Sequence, residues 1–257
     1  MAMDANGQAA SDQASGTPQI VTMKQACSDI LSRLTPEQQA DRERREAKDR
    51  EYDERMAREA RIRFGERFGT RYAGCTLDNF VVTSPKMAEV VTALHYYVEG
   101  FPDHLRRGEG IVMFGPPGTG KDHLAAAVCI AIYDRYPKWH GRSYIVFRTG
   151  LDLYQDVRDA MKNNETEYIT AKPLIETPLL LLSDPLPPRG PLTDWQAGIL
   201  LQIIDARYRD CKPTIVTLNI ANGAEGDERM GPQTLDRLKD GALCFFCDWP
   251  SHRKAQT

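Results

Sequence analysis

Ile20, Met23, Cys27, Ile30, Leu31 and Leu34 recur at steps of three and four residues, the spacing that places side chains on one face of a short amphipathic helix. Such a face needs a cover, either the chain's own core or a partner. Thr35-Pro36-Glu37-Gln38 follows, a cap, a proline at the first helical position and a capping-box glutamine, which together start a second helix. Along it the apolar stripe fades, and acids precede bases by four residues in Asp41/Arg45, Glu46/Arg50, Glu51/Arg55, Glu54/Arg58 and Glu59/Arg63. Each such pair stabilises a helix by about 0.2–0.5 kcal/mol. The expectation is a long solvated connector, with acids and bases too closely balanced for direct contact with nucleic acid.

From Ser84 the pattern becomes that of a layered α/β domain. Ser84-Pro85 opens a helix carrying Met87, Val90, Val91, Leu94 and Val98 on one face, and Ile111–Phe114 is a short apolar strand. Further strands are expected at Tyr144–Phe147, Leu179–Leu182, Thr214–Leu218 and Leu243–Cys247, with helices over about 121–136, 150–163, 193–210 and 232–239. Strands alternating with helices imply a mostly parallel sheet covered on both faces, with ligands at the carboxyl ends of its strands. Residues 1–18 are poor in apolar side chains and are expected to be disordered. The division is therefore a tail over 1–18, a helical docking and linker region over 19–68, and a nucleotide-binding domain over 69–257.

Composition narrows this picture only modestly. The chain has 257 residues, 41% of them hydrophobic, and a formal charge of −3, which suits one sizeable core and excludes a protein coated in positive potential. No apolar run approaches the roughly 18–20 residues that cross a bilayer, and no basic-then-apolar leader opens the chain, so a cytoplasmic protein with no membrane partner is expected. Cys27, Cys75, Cys129 and Cys211 are scattered and read as small buried hydrophobes. Cys244 and Cys247 form a CxxC within an expected buried strand. No second Cys or His pair lies at zinc-finger spacing, so packing is the expectation there too.

The chemistry concentrates after Phe114. Gly115-Pro116-Pro117-Gly118-Thr119-Gly120-Lys121 lies between a strand and a helix, the context in which glycines turn backbone N–H groups around phosphate oxygens and a Lys reaches the terminal phosphates. This predicts a purine nucleoside triphosphate site, with ATP the expected ligand. The next position ordinarily carries a Ser or Thr for Mg²⁺, and here it is Asp122. A carboxylate suits a hard cation but puts a negative charge beside the phosphates, so strong metal dependence is expected. Leu179-Leu180-Leu181-Leu182-Ser183-Asp184 delivers an acid at a strand's carboxyl end, read as a second metal ligand. ATPases of the additional-strand class usually follow that acid with a Glu that polarises the attacking water. Pro185 stands there, and slow hydrolysis is expected. Thr217-Leu218-Asn219 ends the next strand with an amide able to orient a water.

From about Gly69 to Arg253 the chain resembles the AAA+ ATPase domain of DnaC-type helicase loaders and their IstB-type transposition relatives. The matching segments are Gly69–Phe80, Gly115–Leu124 with the alanines that follow, Asp236-Arg237, and Trp249-Pro250-Ser251-His252-Arg253. The resemblance implies a P-loop NTPase fold of the additional-strand type with a helical N-terminal extension. It also implies that Phe80 lines the adenine pocket, that Gly115 to His123 hold the nucleotide, and that Asp122 and Asp184 serve the metal. Asn219 would be a sensor, Arg237 a finger onto a neighbour's ATP, and Arg253 a second sensor. The implied function is ATP-switched helicase loading in DNA replication. The N-terminal helices would grip the replicative helicase, and the ATPase domain would self-associate on ATP and contact single-stranded DNA. Arg158, Lys162, Lys172, Arg207 and Arg209 are the candidate DNA contacts. A transposition ATPase or a hydrolysis-deficient adaptor are the alternative functions.

Overall fold

The computed structural model describes residues 35–136, 144–164 and 166–253; the expectations for the tail, the helix at 20–34 and Cys27 fall outside them. The chain divides into two units, residues 1–50 and 51–257.

In the first unit the described residues are Thr35 and the start of helix α1 (Pro36–Phe68), all exposed up to Arg50. The expected capping box is formed: Thr35 N–H donates to Gln38 Oε1 at 2.9 Å and Gln38 N–H to Thr35 Oγ1 at 3.3 Å. Arg42 pairs with Glu46 at 2.6 Å.

In the second unit α1 stops behaving as a solvated connector. Ala57, Ala60, Phe64 and Phe68 are buried, Phe68 stacks on Phe147 with centroids 4.1 Å apart, and Phe64 meets Tyr133 at 6.0 Å. The expected Glu59–Arg63 pair forms at 3.5 Å on the exposed side. The charge pattern had masked the apolar stripe beneath it, since a helix can carry both on different faces.

Among the described residues five strands form one sheet: β1 (Ile111–Phe114), β2 (Ile145–Thr149), β3 (Leu179–Ser183), β4 (Thr214–Leu218) and β5 (Leu243–Phe246). Their order is β2-β3-β4-β1-β5, with every pairing parallel. Side chains alternate between the faces. Ile111, Met113, Leu179, Leu181 and Ile215 join one core with helices α2 (Pro85–Glu99), α3 (Phe101–Arg107) and α4 (Lys121–Arg135). Val112, Leu180, Leu182 and Val216 join the other, under α5 (Gly150–Lys162), α6 (Glu167–Glu176), α7 (Asp194–Arg209), α8 (Gly223–Met230) and α9 (Pro232–Lys239).

Three of these helices were not foreseen. α3 and α8 are too short to display a period, and α6 buries only Ala171 and Leu174 while exposing Tyr168 and Ile169. β5 is an edge strand, so Cys244 is exposed where a buried strand was expected, although Cys247 beyond it is buried. Cys211 is exposed as well, at a positive φ of 49°. No helix among the described residues is long and apolar enough to cross a membrane.

Candidate nucleotide site

The loop after β1 turns sharply because no side chain could fit there. A Cβ on Gly115 would lie 2.3 Å from the Cys247 carbonyl oxygen, and Gly118 and Gly120 have φ of 87° and 88°. α4 starts at Lys121, and its N-cap, Gly120, offers no side-chain acceptor. The first amides of the helix and its positive end are thus left for an anionic ligand. Lys121 is only 6% exposed and donates to the carbonyls of Gly115 at 2.9 Å and Pro116 at 2.8 Å. Burial holds its pKa below the usual lysine value.

Asp122 follows, directed toward the ends of β3 and β4. Its Oδ1 accepts from Ser183 Oγ at 2.9 Å and from Thr217 Oγ1 at 2.7 Å. Ser183 and Thr217 are register partners across the β3–β4 ladder, which is why two hydroxyls reach one oxygen. Asp184 sits one residue past β3 at a φ of 45°. Its N–H donates to the Thr217 carbonyl at 2.9 Å, and its Oδ2 accepts from Asn219 Nδ2 at 2.6 Å. Burial raises the Asp184 pKa above the ordinary carboxylate value, against the lowering effect of the Asn219 hydrogen bond. Its Oδ1 is buried with no hydrogen-bond partner.

The donor set fits a magnesium ion carried by a nucleotide. Among the described residues no three His, Cys, Asp or Glu gather into a cage, and magnesium commonly binds one or two carboxylates together with phosphates and water. Asp122 and Asp184 supply hard oxygen, and a buried carboxylate oxygen without a partner calls for an ion or a water.

Above the loop lies a cleft of about 240 Å³ whose lining includes Tyr72, Asn79, Phe80, Lys121, Asp122, Asn219 and Arg253. Phe80 meets His252 and His123 edge-on, with centroids at 5.0 and 5.4 Å. The segment after β5 closes over the same loop: Trp249 Nε1 donates to the Thr119 carbonyl at 2.7 Å and His252 N–H to the Gly118 carbonyl at 2.9 Å. Tyr72, Ser183, Thr217 and His252 also meet here, although local sequence pattern assigns none of them a role. Ser183 and Thr217 could have been found as the hydroxyls closing two apolar strands beside the loop.

Other expected site residues lie elsewhere. Arg237 pairs with Asp205 at 2.9 Å and lines a separate cavity beside Gly110 and Thr214, at the amino ends of β1 and β4. Arg158 lies over the Trp195 ring at 5.4 Å, Lys162 pairs with Asp159, Lys172 with Glu176, and Arg209 with Asp205. Arg207 is no DNA contact. It is 1% exposed and donates to the carbonyls of Leu174 and Thr177 and to Thr214 Oγ1.

A five-stranded parallel sheet in this order, with a glycine loop leading into a helix beside two strand-end polar clusters, defines a P-loop nucleotide-binding protein of the AAA+ type. The family model described as IstB-like ATP binding protein matches residues 100–256, and the chain belongs to that family. Over 190 residues it is 27% identical to the replicative helicase loader DnaC of Escherichia coli strain K12, covering 72% of each chain. It is 29% identical over 187 residues to a putative insertion sequence ATP-binding protein of Sinorhizobium fredii, covering 70% of this chain and 58% of that one. Among solved structures it resembles the DnaC helicase loader with a TM-score of 0.61 at 25% identity, over 69% of this chain and 99% of that one. It shares the fold of AMPPCP-bound DnaA from Aquifex aeolicus with a TM-score of 0.54 at 19% identity, over 68% of this chain and 50% of that one.

Proposed function

We propose that this ATP-binding protein is a helicase loader, working as a nucleotide switch in cytoplasmic DNA replication. The observation that carries the reading is its likeness to the DnaC helicase loader both in sequence, over 190 residues, and in structure, over 69% of this chain. Lys121 and the amides at the start of α4 hold the phosphates, Phe80 lies against the base, and Asp122 and Asp184 are the acids available to Mg²⁺ and its water shell. Asn219 and Arg253 sense the nucleotide from the cleft, while Arg237 acts on the ATP of a neighbouring copy. Residues 1–18 form a tail, 19–68 a helical docking and linker region whose last turns bury Ala57, Ala60, Phe64 and Phe68 in the core, and 69–257 the ATPase domain. Single-stranded DNA is the second partner.

The test is capture of the replicative helicase by the full chain with ATP, comparing wild type with a variant carrying Ile30→Asp and Leu31→Asp. Two charges on an apolar docking face cannot be desolvated without cost, so capture is lost while ATP-analogue binding persists. Capture that survives both changes counts against this docking face. The likeness to the insertion-sequence ATP-binding protein supports a second reading, a transposition ATPase. Binding of a cognate transposase instead of a helicase in the same assay decides for it.

A further inference from the structure

We infer that the metal-side pair of this site is exchanged: of the two acids available to the ion only Asp122 on α4 binds it, with Ser183 at the end of β3 supplying the hydroxyl, and Asp184 instead holds the attacking water with Asn219. The inference rests on the ATP reading above. In P-loop NTPases a Ser or Thr just after the loop Lys and an Asp at a neighbouring strand end hold the magnesium together. Here the residue after Lys121 is the acid, and the strand-end residue that meets it is the hydroxyl, with Ser183 Oγ donating to Asp122 Oδ1 at 2.9 Å. The same two chemical groups are present with their positions reversed.

Electrostatics favours the reversal being a matched one. Asp122 facing a second carboxylate at the Ser183 position would bring like charges into hydrogen-bond range, whereas carboxylate and hydroxyl carry one negative charge in either arrangement. Thr217 Oγ1 adds a second donor to the same oxygen at 2.7 Å. The carboxylate is therefore fixed from two strand ends at once, in the manner of an outer shell orienting a ligand.

Asp184 is then the residue after the metal-side position. The hydrogen bond from Asn219 at 2.6 Å fixes one of its oxygens, and the other is buried without a partner, a geometry that suits one tightly held water. In hydrolysis the water oxygen bonds to the γ-phosphorus as the bond from phosphorus to the β–γ bridging oxygen breaks. ADP leaves with that electron pair, and the water's proton passes to Asp184. Position 185 plays no part in this. Pro185 is buried, its carbonyl accepts from Tyr154 Oη at 3.1 Å, and a Cβ on Gly150 would come within 2.4 Å of its Cα. The slow turnover expected from a missing acid at 185 does not follow, because 185 packs against α5 and Asp184 already supplies the acid.

The test uses the full chain, a fluorescent ATP analogue with magnesium or with EDTA, and Mn²⁺ read by electron paramagnetic resonance. Asp122→Thr should lower the metal-dependent part of nucleotide affinity by about tenfold or more. Ser183→Asp alone should weaken it too, by adding a like charge. The variant carrying both changes restores one carboxylate and one hydroxyl, and it should recover most of the loss. A joint variant no better than the worse single overturns the exchange. Asp184→Asn should keep Mn²⁺ binding while lowering single-turnover hydrolysis by about 100-fold; loss of Mn²⁺ binding there would put Asp184 on the metal and overturn the assignment. Thermal melts identify any variant that fails to fold, and Asp122→Asn, nearly isosteric, then replaces Asp122→Thr. A wild type that binds no analogue in either buffer overturns the ATP reading itself, an outcome distinct from a failed rescue.

Discussion

Trp249 Nε1 donates a 2.7 Å hydrogen bond to the Thr119 carbonyl, joining the segment after β5 to the phosphate loop across 130 residues of sequence. A Cβ on Gly118 would lie 2.1 Å from Ser251 Oγ, so the two segments approach as closely as a glycine permits. Trp249→Phe keeps an aromatic ring but strips the donor, leaving a buried carbonyl unpaired at about 1–3 kcal/mol. ATP affinity should fall by about tenfold through a less ordered loop. Titration with a fluorescent analogue checks this, and unchanged affinity would show that the loop is ordered without the indole.

Lys121 is the one side chain in the loop able to neutralise terminal phosphates, and its ammonium is already held beside the Gly115 and Pro116 carbonyls. Lys121→Ala should abolish ATP binding. Retained affinity for the analogue would remove the loop from the site.

Arg237 is tied to Asp205 rather than to its own chain's nucleotide cleft. Arg237→Ala should leave ATP binding by the dilute monomer intact and lower only activity that depends on assembly. Turnover against protein concentration separates the two, and an equal loss at every concentration contradicts a role across an interface.

Arg207 is buried with its donors spent on carbonyls and a hydroxyl that join α7 to the segment before β3 and to the start of β4. Burial pushes its pKa down to about 9, which still leaves the guanidinium charged at neutral pH. Arg207→Met strands those acceptors and should cost about 3 kcal/mol or more. Urea unfolding measures the loss. Because Arg207 is enclosed, its removal should not act on DNA affinity at concentrations of denaturant that leave the variant folded.

Glu109 takes two hydrogen bonds from Arg107, at 2.7 and 2.9 Å, and lies 2.6 Å from His104 Nδ1. The Arg107 bond is the main cause that holds its pKa below the usual glutamate value. A depressed folded pKa contributes stability that is present above the unfolded pKa of about 4.3 and lost as pH falls through the folded value. Glu109→Gln should therefore cost up to about 1 kcal/mol at neutral pH after solvent screening, and nothing at the acid end. Parallel melts from pH 7 to pH 3 test it; a constant difference across the range would mean that packing, not charge, is at stake.

Local pattern was enough for the five strands, because each is a run of apolar residues bounded by turns, and for the loop, because its glycines and Lys121 act through neighbours in sequence. It failed where a residue's environment comes from distant chain. Phe64 and Phe68 lie in a stretch whose local pattern is that of a charged connector, and only the fold sets Tyr133 and Phe147 against them. Arg207 has the local pattern of a surface cation, and only the fold brings the carbonyls of Leu174 and Thr177 to it. Cys244 looked buried, and only the strand order made β5 an edge.

The sequence by itself determined a parallel α/β nucleotide-binding domain with an acid following the loop lysine, since alternation of strands and helices and the chemistry of phosphate are both written in short segments. The tertiary structure decided what that acid touches. Placing β4 between β1 and β3, with Ser183 in register with Thr217, brings two hydroxyls to one oxygen of Asp122 and sets Asn219 against Asp184. Sheet order and register fix those meetings, because hydrogen-bonded strands lie about 4.8 Å apart whatever the length of chain that connects them.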